Sequence, residues 1–183
     1  RGRMVGHNTG PALSINLQIS AVTGFDLTGN QFAQMPVNPD EFMDMYPEYV
    51  LDDDEREAWR TTRTGAIAGA QIAERYGWKV GDKVPITATI WTKADGSTVW
   101  DFDLVGIYEA GEKGTDDTQF FFRYDYFDES RPDWGKGLVG WYTARLDDPD
   151  RAAEITAAID ADVKAAAQEM LTDARVASAI EGL

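Results

Sequence analysis

The chain has 183 residues, no cysteine, one histidine, and 32 acidic against 17 basic side chains, for a formal net charge of −15. That length suffices for one well-buried domain or two small lobes sharing a core, while the charge opposes nucleic acid, whose binding rests on neutralised phosphates, and opposes docking of a basic patch on anionic lipid. Without cysteine there are no disulfide staples, no thiolate catalysis and no cysteine-rich zinc site.

No run of about 18 apolar residues occurs, so no stretch reads as a membrane span. Arg1-Gly2-Arg3-Met4 is basic, but no apolar block of signal-peptide type follows it. Residues 1–12 are polar and glycine-rich and are expected to be poorly ordered. Leu13, Ile15, Leu17 and Ile19 alternate with Ser14, Asn16, Gln18 and Ser20, the period of a half-buried strand. Gly24, Gly29 and Asn30 punctuate a turn region, and Phe32 to Val37 reads as a second strand.

Asn38-Pro39-Asp40-Glu41 is a helix start: a capping Asn, Pro at the first helical position, and Glu at capping-box spacing. Pro47 ends that helix. Asp52-Asp53-Asp54-Glu55 opens another, running to about Thr62, with its carboxylates at the favourable end of the dipole. Residues 66–77 predict a third helix, because Ala66, Gly69, Ala70, Ala73 and Gly77 repeat with helical spacing and form a small-residue face. Gly77 is its expected C-cap and Trp78 an anchor behind it.

Gly81-Asp82 turns the chain into a strand from Lys83 to Trp91. Asp95-Gly96 then joins Val84–Trp91 to Val99–Tyr108 as a hairpin. Gln119–Tyr124 and Leu138–Leu146 are further strands. Asp148-Pro149 starts the last helix, whose stripe Ala152, Ile155, Ile159, Val163, Ala166 and Met170 is expected to be buried. Thr172-Asp173 restarts it with a shifted face of Val176, Ile180 and Leu183. The order predicts an α+β fold, with a mixed or antiparallel sheet packed by helices, over residues 13–183 as one α/β domain.

Chemistry has few places to reside. The sole histidine, His7, has no indicated Ser or Asp partner. Neither a Gly-x-Ser-x-Gly elbow nor a glycine-rich phosphate loop is present. Asp52-Asp53-Asp54, Asp116-Asp117 and Asp147-Asp148 lack the alternating spacing that wraps a calcium ion, and only Asp116-Asp117, in a polar loop, is a candidate for weak calcium binding. Phe120 to Glu129 holds six aromatics among charges. It reads either as a strand buried on both faces that runs into a turn, with Arg123 paired to an acid, or as the lining of a sugar or peptide cleft. Asp125 with Asp128 or Glu129 is then the only carboxylate pair available to a glycosidase. No residue is assigned as catalytic, cofactor-binding or metal-binding.

Gly65-Ala-Ile-Ala-Gly-Ala-Gln-Ile-Ala-Glu-Arg-Tyr-Gly-Trp-Lys-Val-Gly-Asp-Lys-Val84, followed by Trp100-Asp-Phe-Asp-Leu-Val-Gly-Ile-Tyr108, is similar to the MacB-like periplasmic core domain of FtsX-like ABC-transporter permeases. Phe122–Glu129, Val139-Gly-Trp-Tyr142 and Leu146-Asp-Asp-Pro149 add to the likeness, which spans roughly residues 31–162. The resemblance implies a non-catalytic bacterial domain, without cofactor, inserted between two membrane helices on the periplasmic or extracellular side. It implies two small lobes, with residues 38–130 as the inserted one. Its expected partners are an envelope protein or the transported substrate, and a cytoplasmic ATPase subunit reached through the membrane part; a dimer of the whole transporter is compatible with it, nucleic acid is not. A free-standing sugar- or peptide-binding module and a carboxylate-dependent glycosidase are the alternatives. Arg175–Leu183 resembles the family's opening helix, which implies a rearranged chain order.

Overall fold

The computed structural model describes residues 13–18, 24–26, 31–88, 90–138, 141–146 and 148–172. It divides into two units, Ser14–Arg145, and Arg1–Leu13 with Leu146–Leu183. His7 and residues 173–183, with the second apolar face expected there, lie outside the described residues, as do residues 1–12.

In chain order the elements of the larger unit are β1 (Leu13–Gln18), β2 (Gly24–Asp26), β3 (Gln31–Phe32), β4 (Gln34–Val37), α1 (Pro39–Met45), β5 (Tyr49–Val50), α2 (Asp53–Thr61), β6 (Gly65–Gly69), α3 (Ala70–Tyr76), β7 (Lys83–Ala88), β8 (Val99–Ala110), β9 (Phe120–Arg123), α4 (Tyr124–Ser130), a 3₁₀ turn (Asp133–Gly135) and β10 (Trp141–Leu146). The main sheet runs β3-β2-β7-β8-β6-β9-β4, β5 pairs with the end of β8, and β1 pairs with β10 separately. In the main sheet and its β5 extension, pairs β4–β9 and β6–β8 are parallel and the others antiparallel. This is the expected α+β architecture with a mixed sheet.

The strand expected over 32–37 is interrupted at Ala33, and the break organises the sheet. Phe32 pairs with Gly24 at one end of the strand order, and Gln34 pairs with Phe120 at the other. Three residues reach no more than about 11 Å, so the two ends of the sheet meet and the sheet curls on itself. Inside the curl lie Val84, Ile86, Trp100, Phe102, Phe120 and Phe122. Only about 10 Å³ of space remains among Gln34, Ile86, Trp100, Phe102 and Phe127. That is hardly room for one water, so the interior is a packed core and not a ligand cavity.

Segment 66–77 corrects the sequence reading. Only Ala70–Tyr76 is helical; Gly65–Gly69 is strand β6, buried at every residue and flanked on both edges by β8 and β9. Ala66 and Ala68 face the core that holds Ile72, Leu104 and Phe122, while Ile67 faces a second core of Phe42, Trp59, Tyr108 and Phe121. A strand buried on both sides loses its alternation, and its small residues then imitate a helix face.

The caps behave as the sequence indicates. Asn38 Oδ1 accepts from the Asp40 and Glu41 amides at 3.1 and 3.4 Å, with Pro39 at the first helical position. Helix α2 opens on Asp53, Asp54 and Glu55 and buries Trp59. Gly77 closes α3 in the left-handed region at φ 69°, and Trp78 packs edge-on against Phe32. The hairpin forms, with Val84 opposite Phe102 and Ile86 opposite Trp100, but the strand expected to run to Trp91 is described only to Ala88, and Ile90 and Trp91 lie outside it.

Two further readings are corrected. Phe120–Arg123 is a strand, buried at its three phenylalanines, but Tyr124–Ser130 continues as helix α4 and not as a turn. Leu138 lies outside a strand, and the strand expected there is described over Trp141–Leu146, residues 139 and 140 lying outside the described residues. In the smaller unit, Asp148 caps a 3₁₀ turn (Pro149–Arg151) by accepting from the Asp150 amide at 3.0 Å, and α5 (Ala152–Thr172) follows. The stripe expected to be buried on α5 is exposed at Ile159 (43%) and Val163 (63%) and half-buried at Ala152 and Ile155. Helical period decides which residues share a face, and tertiary packing alone decides whether that face is covered.

Candidate interaction surface

The aromatic segment is pulled apart by the switch from β9 to α4. Phe120 and Phe122 enter one core and Phe121 the other, and Tyr126 and Phe127 are buried as well. The sugar-cleft reading of Phe120–Glu129 is therefore corrected: those rings are core. The carboxylates drafted as a catalytic pair are each occupied. Asp125 Oδ1 accepts from Arg123 Nε at 2.9 Å, and Glu129 pairs with Arg63 at 2.8 Å. Asp128 Oδ1 takes three donors: the Gly137 amide at 2.7 Å, the Tyr124 hydroxyl at 3.1 Å and Arg131 Nη2.

Burial pushes the Asp128 carboxyl up, but the Gly137 amide, Arg131 and the Tyr124 hydroxyl outweigh it and hold the group below the ordinary carboxylate range. Asp125 is also held low, burial being outweighed by Arg123 and the Tyr126 amide. A glycosidase acid needs a raised value, and neither group has one. Burial, joined by the neighbouring Asp128 charge, pushes the Tyr124 phenol up to about 12, so it remains a hydrogen-bond donor.

A cavity of about 180 Å³ lies between Asn38, Asp40, Arg60, Arg123 and Asp125. It is smaller than the roughly 300 Å³ at which small-molecule pockets begin. Its charges are also consumed in place, Arg60 by Asp40 and Glu57, Arg123 by Asp125. Asp116, the calcium candidate, accepts from the Thr118 amide and hydroxyl at 2.9 and 2.6 Å and from Gln119 Nε2 at 2.7 Å. Among the described residues no group of three potential ligands is placed to hold a metal ion.

The most exposed large apolar side chains described in the larger unit are on neighbouring loops. Ile90 (65%), Trp134 (68%) and Leu138 (50%) lie on the loops beyond β7 and α4. The Ala94 amide ties the loops together by donating to Ser130 O at 2.8 Å, and Trp100 Nε1 of β8 donates to Trp91 O at 3.0 Å. Trp134 stacks on Trp91 at 6.1 Å between centroids and 20° between planes. Beneath Trp91 the Arg131 guanidinium is wholly buried, 5.1 Å from that ring and 4.6 Å from Phe127. Two stacked rings, Trp134 and Trp91, thus rest on the Arg131 cation and on Phe127 of the core.

Arg131 Nη2 donates to Asp128 and, at 3.2 Å, to Leu138 O, while Nε and Nη1 find no acceptor among the described residues. Unpaired buried donors are costly, and a desolvated cation–π contact recovers about 2 kcal/mol per ring face. Tryptophan is enriched among the anchoring residues of protein interfaces. Sequence reading missed Trp91 and Arg131, whose meeting depends on the hairpin lying beside α4.

No sequence-family model matches the chain, and no curated protein matches it. A solved structure does share its fold. The extracellular domain of the noncanonic ABC-type transporter YknZ from Gram-positive bacteria matches with a TM-score of 0.52 at 10% identity, over 80% of this chain and 71% of that one. A domain of a Porphyromonas gingivalis protein classed as a permease matches at 0.49 and 13% identity, over 77% of this chain. This chain spans 58% of that domain's length. The fold is thus one found in an extracellular transporter domain.

Proposed function

We propose that this chain is the extracytoplasmic domain of a bacterial ABC-type transporter permease, a non-catalytic module standing outside the cytoplasmic membrane. The observation that carries the reading is the fold shared with the YknZ extracellular domain over four-fifths of the chain. The order of motifs from Gly65 to Tyr108 points the same way. Among the described residues no helix is long and apolar enough to cross a membrane, and every carboxylate drafted for catalysis is held by a partner.

In this role the domain transmits transporter motion to an envelope protein or substrate, and the surface of Trp134, Ile90 and Leu138 is its contact face. ATP is hydrolysed by a separate cytoplasmic subunit. The test uses the full-length protein, tagged and isolated from its own membranes. Co-purification of an ATPase subunit, together with a crosslinked envelope partner that Trp134→Ala loses, supports the reading. Recovery as a soluble protein without an ATPase overturns it.

A further inference from the structure

We infer that Arg131 is the positioning residue of the Trp134 surface, an inference that rests on that surface being the contact face proposed above. Trp134 is 68% exposed on a short 3₁₀ turn, a place where a side chain ordinarily samples several rotamers. Here it has one wall, Trp91, and Trp91 in turn rests on the flat Arg131 cation. The same guanidinium reaches round to Leu138 O, closing the loop that carries Trp134. Asp128 fixes the remaining geometry: it binds Arg131 and also the Gly137 amide, where the chain turns in the left-handed region at φ 73°.

One side chain therefore sets both the ring beneath the anchor and the far end of its loop. Its Cζ lies 5.1 Å from the Trp91 ring centroid and 4.6 Å from that of Phe127, and a planar guanidinium lies on such ring faces where a tetrahedral ammonium does not reproduce the contact. An anchor held in this way enters a complex without losing side-chain freedom on binding.

The test is ¹⁵N relaxation of the tryptophan indole N–H groups in the 183-residue chain, with Trp134→Phe used to assign the Trp134 signal. The wild-type Trp134 indole is expected to show an order parameter of about 0.85, as in rigid backbone. Arg131→Met is expected to lower it below about 0.6 while the buried Trp59 indole keeps its value. Arg131→Lys retains the charge and the Asp128 pair but not the planar stack, so it should also lower Trp134 order. If Arg131→Met fails to fold, Arg131→Lys decides. A wild-type Trp134 that is already mobile, or one unchanged in either folded variant, overturns the inference. No partner enters the measurement, so its failure is distinct from failure of the docking reading, which the crosslinking of Trp134→Ala reports.

Discussion

Gly69 lies against the main chain of Asp117 so closely that a β-carbon there would fall 1.9 Å from the Asp117 carbonyl oxygen. The Gly69 amide also donates to Gln119 O at 3.0 Å, at the point where β6 becomes α3. The loop before β9 is thus seated on the one residue of the strand end that has no side chain. Tyr108 fixes the same loop from beneath, its hydroxyl donating to Asp116 O at 3.0 Å and accepting from the Gln119 amide at 3.2 Å.

Gly69→Ala should destabilise the fold at the upper end of the overpacking range, about 3 kcal/mol, because the obstacle is backbone. Gly106→Ala is the control: the nearest atom to its new β-carbon is the flexible Leu51 Cδ2, at 2.6 Å. Urea unfolding of both variants should rank Gly69→Ala as clearly the less stable. Equal losses would refute the close approach.

Trp134 and Trp59 should behave oppositely on truncation. Trp59 is fully buried, and Trp59→Ala is expected to cost about 3–5 kcal/mol. Trp134→Ala removes an exposed ring and should cost no more than about 1 kcal/mol, a shift of roughly 2–4 °C in thermal midpoint. A large loss at Trp134 would mean that the ring serves the fold and not a partner.

The Asp128 carboxyl has a folded-state value below its unfolded one, the net result of burial opposed by the Gly137 amide, Arg131 and Tyr124. Between the two values the unfolded chain binds the proton and the folded chain does not, so acidification favours unfolding. The stabilisation is complete above the ordinary aspartate value of about 3.9 and is lost as pH falls through the folded value. Asp128→Asn should be less stable at pH 7 by about 3 kcal/mol, since it strands the buried Arg131, and its stability should fall less steeply below about pH 4. Parallel acid profiles for the two proteins would contradict this.

Asp116 has its acceptor capacity taken up by Thr118 and Gln119. Calcium at millimolar concentration, or its removal by chelator, should therefore leave the thermal midpoint unchanged. A calcium-dependent rise would revive the loop as a cation site.

Local signals are legible where one short segment contains all the determinants. Asn38-Pro39, Gly77 and Asp95-Gly96 each carry their own capping or turn chemistry, and the structure uses them as read. The errors lie where neighbours decide. Ala66 and Ala68 are strand because β8 and β9 bond both edges of β6, which no local pattern records. Tyr124 begins a helix that brings Tyr126 and Phe127 into the same core as Phe122, a contact no local pattern records. Ala33 marks the join of a curled sheet, visible only once both of its ends are placed. The Trp134 surface is the least legible, since Trp91 and Arg131 meet across 40 positions of sequence and neither residue type signals the other.

The central claim is most directly tested by accessibility in the cell. The chain contains no cysteine, so a single Asp95→Cys substitution in the full-length protein, on the exposed hairpin turn, gives this domain one reactive thiol. In intact cells a membrane-impermeant thiol reagent should label it, and the labelled protein should fractionate with the cytoplasmic membrane. Labelling only after lysis, or recovery in the soluble cytoplasmic fraction, would contradict an extracytoplasmic permease domain.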